Sequence, residues 1–285
     1  MGGFSVLNNL ASLAAQQQSA VTQAQLQKTL FRLSSGKRIV TGGDDAAGLS
    51  IADGLQAQIR SLQQSVRNAN DGIGFIQTAD SALGQVTNLL NRAATLLTEA
   101  ATGTNSDSLT EISAELTQIY QEIDRVGTAT TFNGTTVFSG SSVSIFVGDT
   151  TNATTASAAT VSFTVQSLST TALGIDVGGQ TGTNISVTLA DASAAQTMLN
   201  EVNSAIDTVA GWRGTLGAKL NRLENSVNIM QAQIQNLTAA ESQIRDADMA
   251  AEIANMTKFQ ILSQVGLASM AQANATSQSV LSLLR

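Results

Sequence analysis

Positions spaced alternately three and four apart run without a break through Ala192, Ala195, Leu199, Val202, Ile206, Val209, Arg213, Leu216, Leu220, Leu223, Val227, Met230, Ile234, Leu237, Glu241 and Ile244. Fourteen of these sixteen are apolar. A 3–4 alternation held over so many turns marks one apolar seam on a long helix, the geometry of coiled-coil packing. At 1.5 Å per residue the helix is roughly 80 Å long.

A matching seam lies in the N-terminal half: Leu55, Ile59, Leu62, Val66, Ala69, Ile73, Ile76, Asp80, Leu83, Thr87, Leu90, Ala94, Leu97 and Ala101, twelve of the fourteen apolar. A third, shorter seam runs Leu109, Ile112, Leu116, Ile119, Ile123, Val126, and residues 102–108 supply turn chemistry between the second and third. These two seams predict an antiparallel hairpin, completed to a bundle by the 192–244 helix. Composition agrees. Only ten of 285 residues are aromatic and none is proline, which favours helices packed side by side and lets them run uninterrupted.

Residues 128–190 turn to Gly, Ser and Thr, with β-prone runs at Val143–Val147 and Thr160–Val165. They predict a small β-hairpin region, with the remainder as loop. The fold expected is therefore mainly α: a long-helix coiled-coil bundle built from both chain ends, with a small β-hairpin region in the middle.

A further helix is predicted beyond a break at each end. The N-terminal one carries a sparse stripe of Leu7, Leu10, Ala14, Val21, Ala24 and Phe31, ended by Ser34-Ser35-Gly36. Asp44 and Asp45 are placed to cap the next helix. The C-terminal one carries Ile253, Met256, Leu262, Val265 and Val280 to Leu284. Lone helices of this kind are marginal in water, because helix stability comes mainly from packing. Pairing first with last covers one stripe, while Phe4, Leu13, Phe259 and Met270 lie off it and remain exposed. Exposed apolar surface on such a pair is an assembly surface, and head-to-tail repetition of a contact that does not close gives a helical filament.

Inventory excludes much chemistry. Cysteine and histidine are absent, which removes thiol nucleophiles, imidazole bases, disulfides and the usual zinc ligand sets. The formal charge of −7 with dispersed basic residues argues against nucleic acid. No run approaches eighteen apolar residues, so membrane insertion is not expected, and Met1–Ser5 lacks the start of a cleaved secretory signal. The Asp44/Asp45 and Asp246/Asp248 pairs lack the ligands of a calcium loop and read as helix caps. No catalytic, cofactor or metal site is expected. Asn-X-Ser/Thr triplets at Asn133, Asn152, Asn184, Asn236, Asn255 and Asn274 are expected by chance in a chain of this composition. Gly211-Trp212-Arg213-Gly214 interrupts the long seam and predicts a bend there.

Several blocks in order carry a resemblance: Leu33-Ser34-Ser35-Gly36-Lys37-Arg38-Ile39, Asp44-Asp45-Ala46-Ala47-Gly48 and Arg67-Asn68-Ala69-Asn70-Asp71-Gly72-Ile73 near the start, then Asn236-Leu237-Thr238-Ala239-Ala240, Ile244-Arg245-Asp246-Ala247-Asp248, Gln260-Ile261-Leu262 and Val280 to Arg285. Over roughly residues 1–138 and 190–285 the chain resembles bacterial flagellin, in a minimal form with little or no outer domain. The resemblance implies that residues 1–44 and 245–285 are the two parts of an inner-tube helical domain, 45–138 and 191–244 the two parts of a wall bundle, and 139–190 a β-hairpin and short loop insert. It implies assembly through Phe4, Leu7, Leu10, Leu13, Phe31, Ile253, Met256, Phe259, Leu262, Val265, Met270, Leu281 and Leu284 into an extracellular filament used for swimming. Export by the flagellum-specific type III route, an export chaperone, a filament cap and identical subunits as partners are implied too. The family's innate immune receptor contact falls on Arg92, Leu96 and Glu115. A hook-filament junction protein and a secreted coiled-coil interaction protein stay open as alternatives.

Overall fold

A computed structural model describes residues 9–102, 109–148, 159–178 and 180–283, with the side chains of 277–283 outside the description. In chain order its elements are α1 (Leu10–Ser35), α2 (Ala46–Ala100), α3 (Leu109–Ala129), β1 (Thr131–Phe132), β2 (Thr135–Thr136), β3 (Ser142–Phe146), β4 (Thr160–Thr164), a 3-10 turn (Gly182–Asn184), α4 (Ala192–Arg245) and α5 (Met249–Leu283). This is the mainly helical class expected from the seams. Two compact units are present, residues 58–234 and residues 1–57 with 235–285.

In the 58–234 unit, both long seams turn inward with a seven-residue rhythm. On α2, Leu62, Ala69, Ile76, Leu83, Leu90 and Leu97 are buried; on α4, Ala195, Val202, Val209, Leu216, Leu223 and Met230 are buried. The alternate seam positions from Val66 to Ala94 and from Leu199 to Val227 are half-buried, the pattern of two faces meeting along a heptad line. Each of these stretches carries one charged residue, and the two meet: Arg213 donates to Asp80 at 2.7 Å. A polar pair in an apolar seam fixes register more than it adds stability. Asp80 in turn holds Arg213 more firmly protonated than usual. α4 runs unbroken through Gly211–Gly214; the glycines do not end it.

α3 returns after α2, burying Ile112, Leu116, Ile119, Tyr120 and Ile123. Its last turn depends on Gly127, where an added Cβ would lie 2.0 Å from the Leu168 carbonyl oxygen. The expected hairpin is present: β3 and β4 pair antiparallel from Ser142↔Thr164 to Phe146↔Thr160. Gly72 of α2 lets it approach, since a Cβ there would overlap the Ile145 side chain. A second, unexpected hairpin joins β1 to β2 through Asn133 and Gly134, both at positive φ (49° and 77°). Asn-Gly is the favoured pair for such two-residue turns.

The stretch after β4, expected to be loop, is an ordered extended strap. Leu173, Ile175 and Val177, then Ile185, Val187 and Leu189, alternate inward and are buried. Its backbone is satisfied from α3. The buried Asp124 carboxylate accepts from Thr170 N–H at 2.7 Å and Gly182 N–H at 2.6 Å. Thr117 and Ser113 hydroxyls accept from Val187 and Leu189 N–H at 3.0 and 3.2 Å, and Gln121 donates to the Thr183 and Ile185 carbonyls.

Candidate assembly interface

The second unit is built on α1 and α5, which lie antiparallel. Asn9 near the start of α1 donates to the Ala273 carbonyl at 3.0 Å, and Arg32 near its end meets Glu252 at 3.4 Å. Local chemistry sets the ends of both helices. The Asn9 side chain caps α1 by accepting from Ser12 N–H, and Gly36 closes it at φ 69°. Asp248 caps α5 by accepting from Ala250 and Ala251 N–H.

The face of α1 turned to α5 is not the apolar stripe read from the sequence. Covered positions on α1 are Ser12, Ala15, Ser19, Thr22, Leu26, Thr29 and Leu33, again three and four apart, but mostly small or hydroxylated. Opposite them on α5 lie Glu252, Met256, Phe259, Ser263, Gly266, Met270 and Ala273. Small residues let the backbones approach; a Cβ on Gly266 would sit 3.7 Å from that of Ser19. Thr22 can be buried because its hydroxyl donates back to the Gln18 carbonyl at 2.9 Å.

This corrects the expected division of faces. Met256, Phe259 and Met270 sit half-buried in the seam, whereas Phe259 and Met270 had been placed off it. The stripe expected to be covered is bare: Leu10 is 70% exposed, Phe31 69% and Val21 54%. Leu13, Ile253, Leu262 and Val265 are exposed as well. Phe4, Leu7 and Leu284 lie outside the described residues, and only the backbone of Leu281 is described. On these two helices Leu30, Met249, Ile261 and Leu267 are exposed apolar residues too; they lie outside the positions read from the sequence, although Met249 and Leu267 share a face of α5 with Ile253. On α5 exposed apolar residues are interspersed with polar ones such as Lys258, Gln260 and Gln264, and pairing with α1 covers one face of the helix.

A charged joint closes the 1–57/235–285 unit. Asp44 receives Lys28 at 2.6 Å and Arg32 at 3.6 Å and accepts from the Val40 and Thr41 N–H groups. The Lys28 hydrogen bond, with those of Thr41 and Val40, holds the Asp44 carboxyl well below the usual carboxylate range against the opposing effect of burial. Asp44 is therefore a clasp and not a cap; Asp45 alone caps α2, accepting from Gly48 N–H at 2.9 Å. Backbone ties run from Arg38 N–H to the Arg245 carbonyl and from Ala247 N–H to that of Gly36. Asp246 accepts from Ser242, and Arg245 pairs with Asp53 at 3.1 Å. Among the described residues no group of three or more acidic side chains is gathered as a metal site, and no helix is long and apolar enough to cross a membrane.

The three residues of the receptor reading are divided. Arg92 and Glu115 are exposed or half-exposed and joined at 2.8 Å between α2 and α3. Leu96 is 3% exposed: it shares the inward side of α2 with Ala93, Leu97 and Ala100 and offers no surface to a partner.

Comparison with known proteins completes these observations. The bacterial flagellin N-terminal helical region matches residues 6–143, and the bacterial flagellin C-terminal helical region matches residues 199–284. Flagellin of Bacillus subtilis (strain 168) is 34% identical over 306 residues, covering 98% of this chain and 99% of that protein. The flagellar filament 33 kDa core protein of Treponema phagedenis is 38% identical over 291 residues, with 98% and 99% covered. A crystal structure of Bacillus cereus flagellin aligns with a TM-score of 0.46 at 27% identity, over 61% of this chain and 94% of that one.

Proposed function

The chain belongs to the bacterial flagellin family, and on that premise we propose that α1 and α5 are the polymerising element of a flagellar filament subunit. The subunit role itself follows from relatives that match end to end and are flagellins or filament core proteins. The assignment to α1 and α5 rests on one observation: the pair forms through the small and hydroxylated face of α1 and one face of α5, and leaves Leu10, Val21, Phe31, Ile253, Leu262 and Val265 in water. Burying such side chains against identical neighbours contributes roughly 1.5–3 kcal/mol each, and a contact between unlike faces propagates as a helix.

In this reading residues 1–44 and 245–285 line the inner tube, 45–138 and 191–244 form the wall, and 139–190 is a hairpin-and-strap insert on the wall. The filament is extracellular, and the subunit reaches it through the flagellum-specific export route with a chaperone and a distal cap as partners. The protein is structural and performs no catalysis. An innate immune receptor contact, if this subunit makes one, would rest on the Arg92–Glu115 pair without Leu96.

The test is polymerisation. Purified protein is concentrated and examined by electron microscopy, alongside chains lacking residues 1–33 or 249–285. The full chain should give long filaments and neither truncation any; unchanged polymers from both truncations would defeat the assignment.

A further inference from the structure

Two-electron oxidants find few targets in this chain other than thioethers. Cysteine is absent, Tyr120 is buried and Trp212 half-buried, so a peroxide meets methionine first. The methionines among the described residues are unevenly placed. In the 58–234 unit Met230 is 2% exposed and Met198 half-buried. In the other unit Met249 is 44% exposed, and Met256 and Met270 are half-buried in the α1–α5 seam.

Large apolar side chains are few in that seam: Leu26 and Leu33 from α1, with Met256, Phe259 and Met270 from α5, the rest being small, hydroxylated or acidic. Its register is fixed by Asn9 on Ala273 and Arg32 on Glu252, and by the close approach of Gly266 to Ser19. That register places Met256 opposite the turn from Leu26 to Thr29 and Met270 opposite Ser12 to Ala15, one near each end of the pair. A sulfoxide at either position turns a flexible apolar chain into a polar one, and its oxygen needs a donor when buried. Two hydroxyls of the seam are already engaged, Thr22 with the Gln18 carbonyl and Ser263 with the Gln23 side chain. Oxidation therefore favours the open pair, in which water supplies the donors.

We propose that Met256 and Met270 form an oxidation site at which peroxide-class oxidants open the α1–α5 pair of the free subunit and so halt its assembly. The thioether sulfur attacks one peroxide oxygen and the O–O bond breaks. The sulfur is oxidised to the sulfoxide, and the peroxide is reduced to water as the transferred oxygen gives its proton to the departing hydroxide. The effect on assembly rests on the polymer reading above; the opening of the pair does not.

Purified subunit treated with hydrogen peroxide tests this, with sulfoxide mapped by peptide mass spectrometry, helix pairing read by amide exchange of the monomer, and assembly by sedimentation. Oxidation at Met256 and Met270 should accelerate exchange in α1 and α5 while the 58–234 unit stays protected, and should raise the concentration needed for filaments by about tenfold. The two methionine sulfoxide reductases, one for each sulfoxide epimer, should restore both readings. Met256→Leu with Met270→Leu keeps the seam apolar at similar volume; it should match the parent before peroxide and stay unchanged after it. Met198→Leu with Met249→Leu should remain as sensitive as the parent. A parent that carries both seam sulfoxides yet exchanges and assembles as before would overturn the proposal. So would seam methionines that stay unoxidised while Met249 reacts, or sensitivity that follows Met198 and Met249 instead. Exchange in the monomer reads the seam without any polymer, so filaments formed without α1 or α5 would sink the polymer reading alone.

Discussion

Asp44 shows how much one carboxylate can organise. Its acceptor atoms are used by Lys28, Arg32, Thr41 and Val40, so its removal takes the ion pair from Lys28, leaves Arg32 with Glu252 and deprives two backbone donors of their acceptor. Asp44→Asn should cost the 1–57/235–285 unit about 1–2 kcal/mol, seen as a lower melting temperature for filaments. Its pH signature has a definite sign. The folded carboxyl titrates below the unfolded one, so its contribution is complete above the unfolded value near 4 and is lost as pH falls through the lower folded value. The parent should lose stability on acidification below about pH 4, and the Asn variant should lose less over that range. Glycine 127 makes a contrasting test in the other unit. Alanine is the better helix former, but its Cβ would press on the Leu168 carbonyl oxygen. Gly127→Ala should therefore destabilise by about 1–3 kcal/mol, lowering the monomer's melting temperature by several degrees. The sequence showed Asp44-Asp45 as a pair at a helix start, and Asp45 is the cap. Asp44's partners lie twelve and sixteen residues upstream on another helix, a relation to which neither periodicity nor capping rules are sensitive.

At the scale of elements, legibility followed repetition. The α2 and α4 seams repeat often enough to be read directly, and two of their four interruptions, Asp80 and Arg213, pair with each other. The β3–β4 hairpin was legible as two β-prone runs, whereas the β1–β2 hairpin was overlooked although Asn133-Gly134 is a strong local signal. The strap had no such signal. Its order comes from Asp124, Thr117, Ser113 and Gln121, side chains on a helix that stand in for a neighbouring strand, and a sequence pattern does not show a helix face acting as a sheet edge. Removing the central acceptor tests that account. Asp124→Ala orphans the Thr170 and Gly182 N–H groups and should cost about 2–3 kcal/mol. Amide exchange should accelerate most at residues 170 and 182, with α2 and α4 protected nearly as before. Uniform acceleration along the chain would mean that the strap is not a separable element.

For the whole molecule, the decisive fact is that α1 pairs through its small and hydroxylated face, while α5 leaves Ile253, Ile261, Leu262, Val265 and Leu267 outside the seam. Apolar content alone led the sequence reading to cover the Leu10, Val21, Phe31 stripe within the molecule. Close approach of two helices instead admits small residues, so Ser19, Thr22 and Gly266 go inside beside Leu26, Leu33, Met256, Phe259 and Met270, while Leu10, Val21, Phe31, Ile253, Leu262 and Val265 stay outside the seam. A single copy thus carries exposed apolar surface on both helices, and in the proposed assembly neighbouring copies cover it. Val21→Lys combined with Val265→Lys places two charges on that surface, where both native residues are 54% exposed. In the monomer these changes are nearly neutral, since exposed substitutions cost within about 0.5 kcal/mol. In the filament each would be a buried, unpaired charge costing several kcal/mol. The concentration needed for filaments should rise by at least a hundredfold, measured by sedimentation of assembled protein. The melting of the 58–234 unit, which contains neither residue, should stay where it was. Filaments at the parent's concentration would mean that these faces look outward in the polymer as well, and that another surface holds the subunits together.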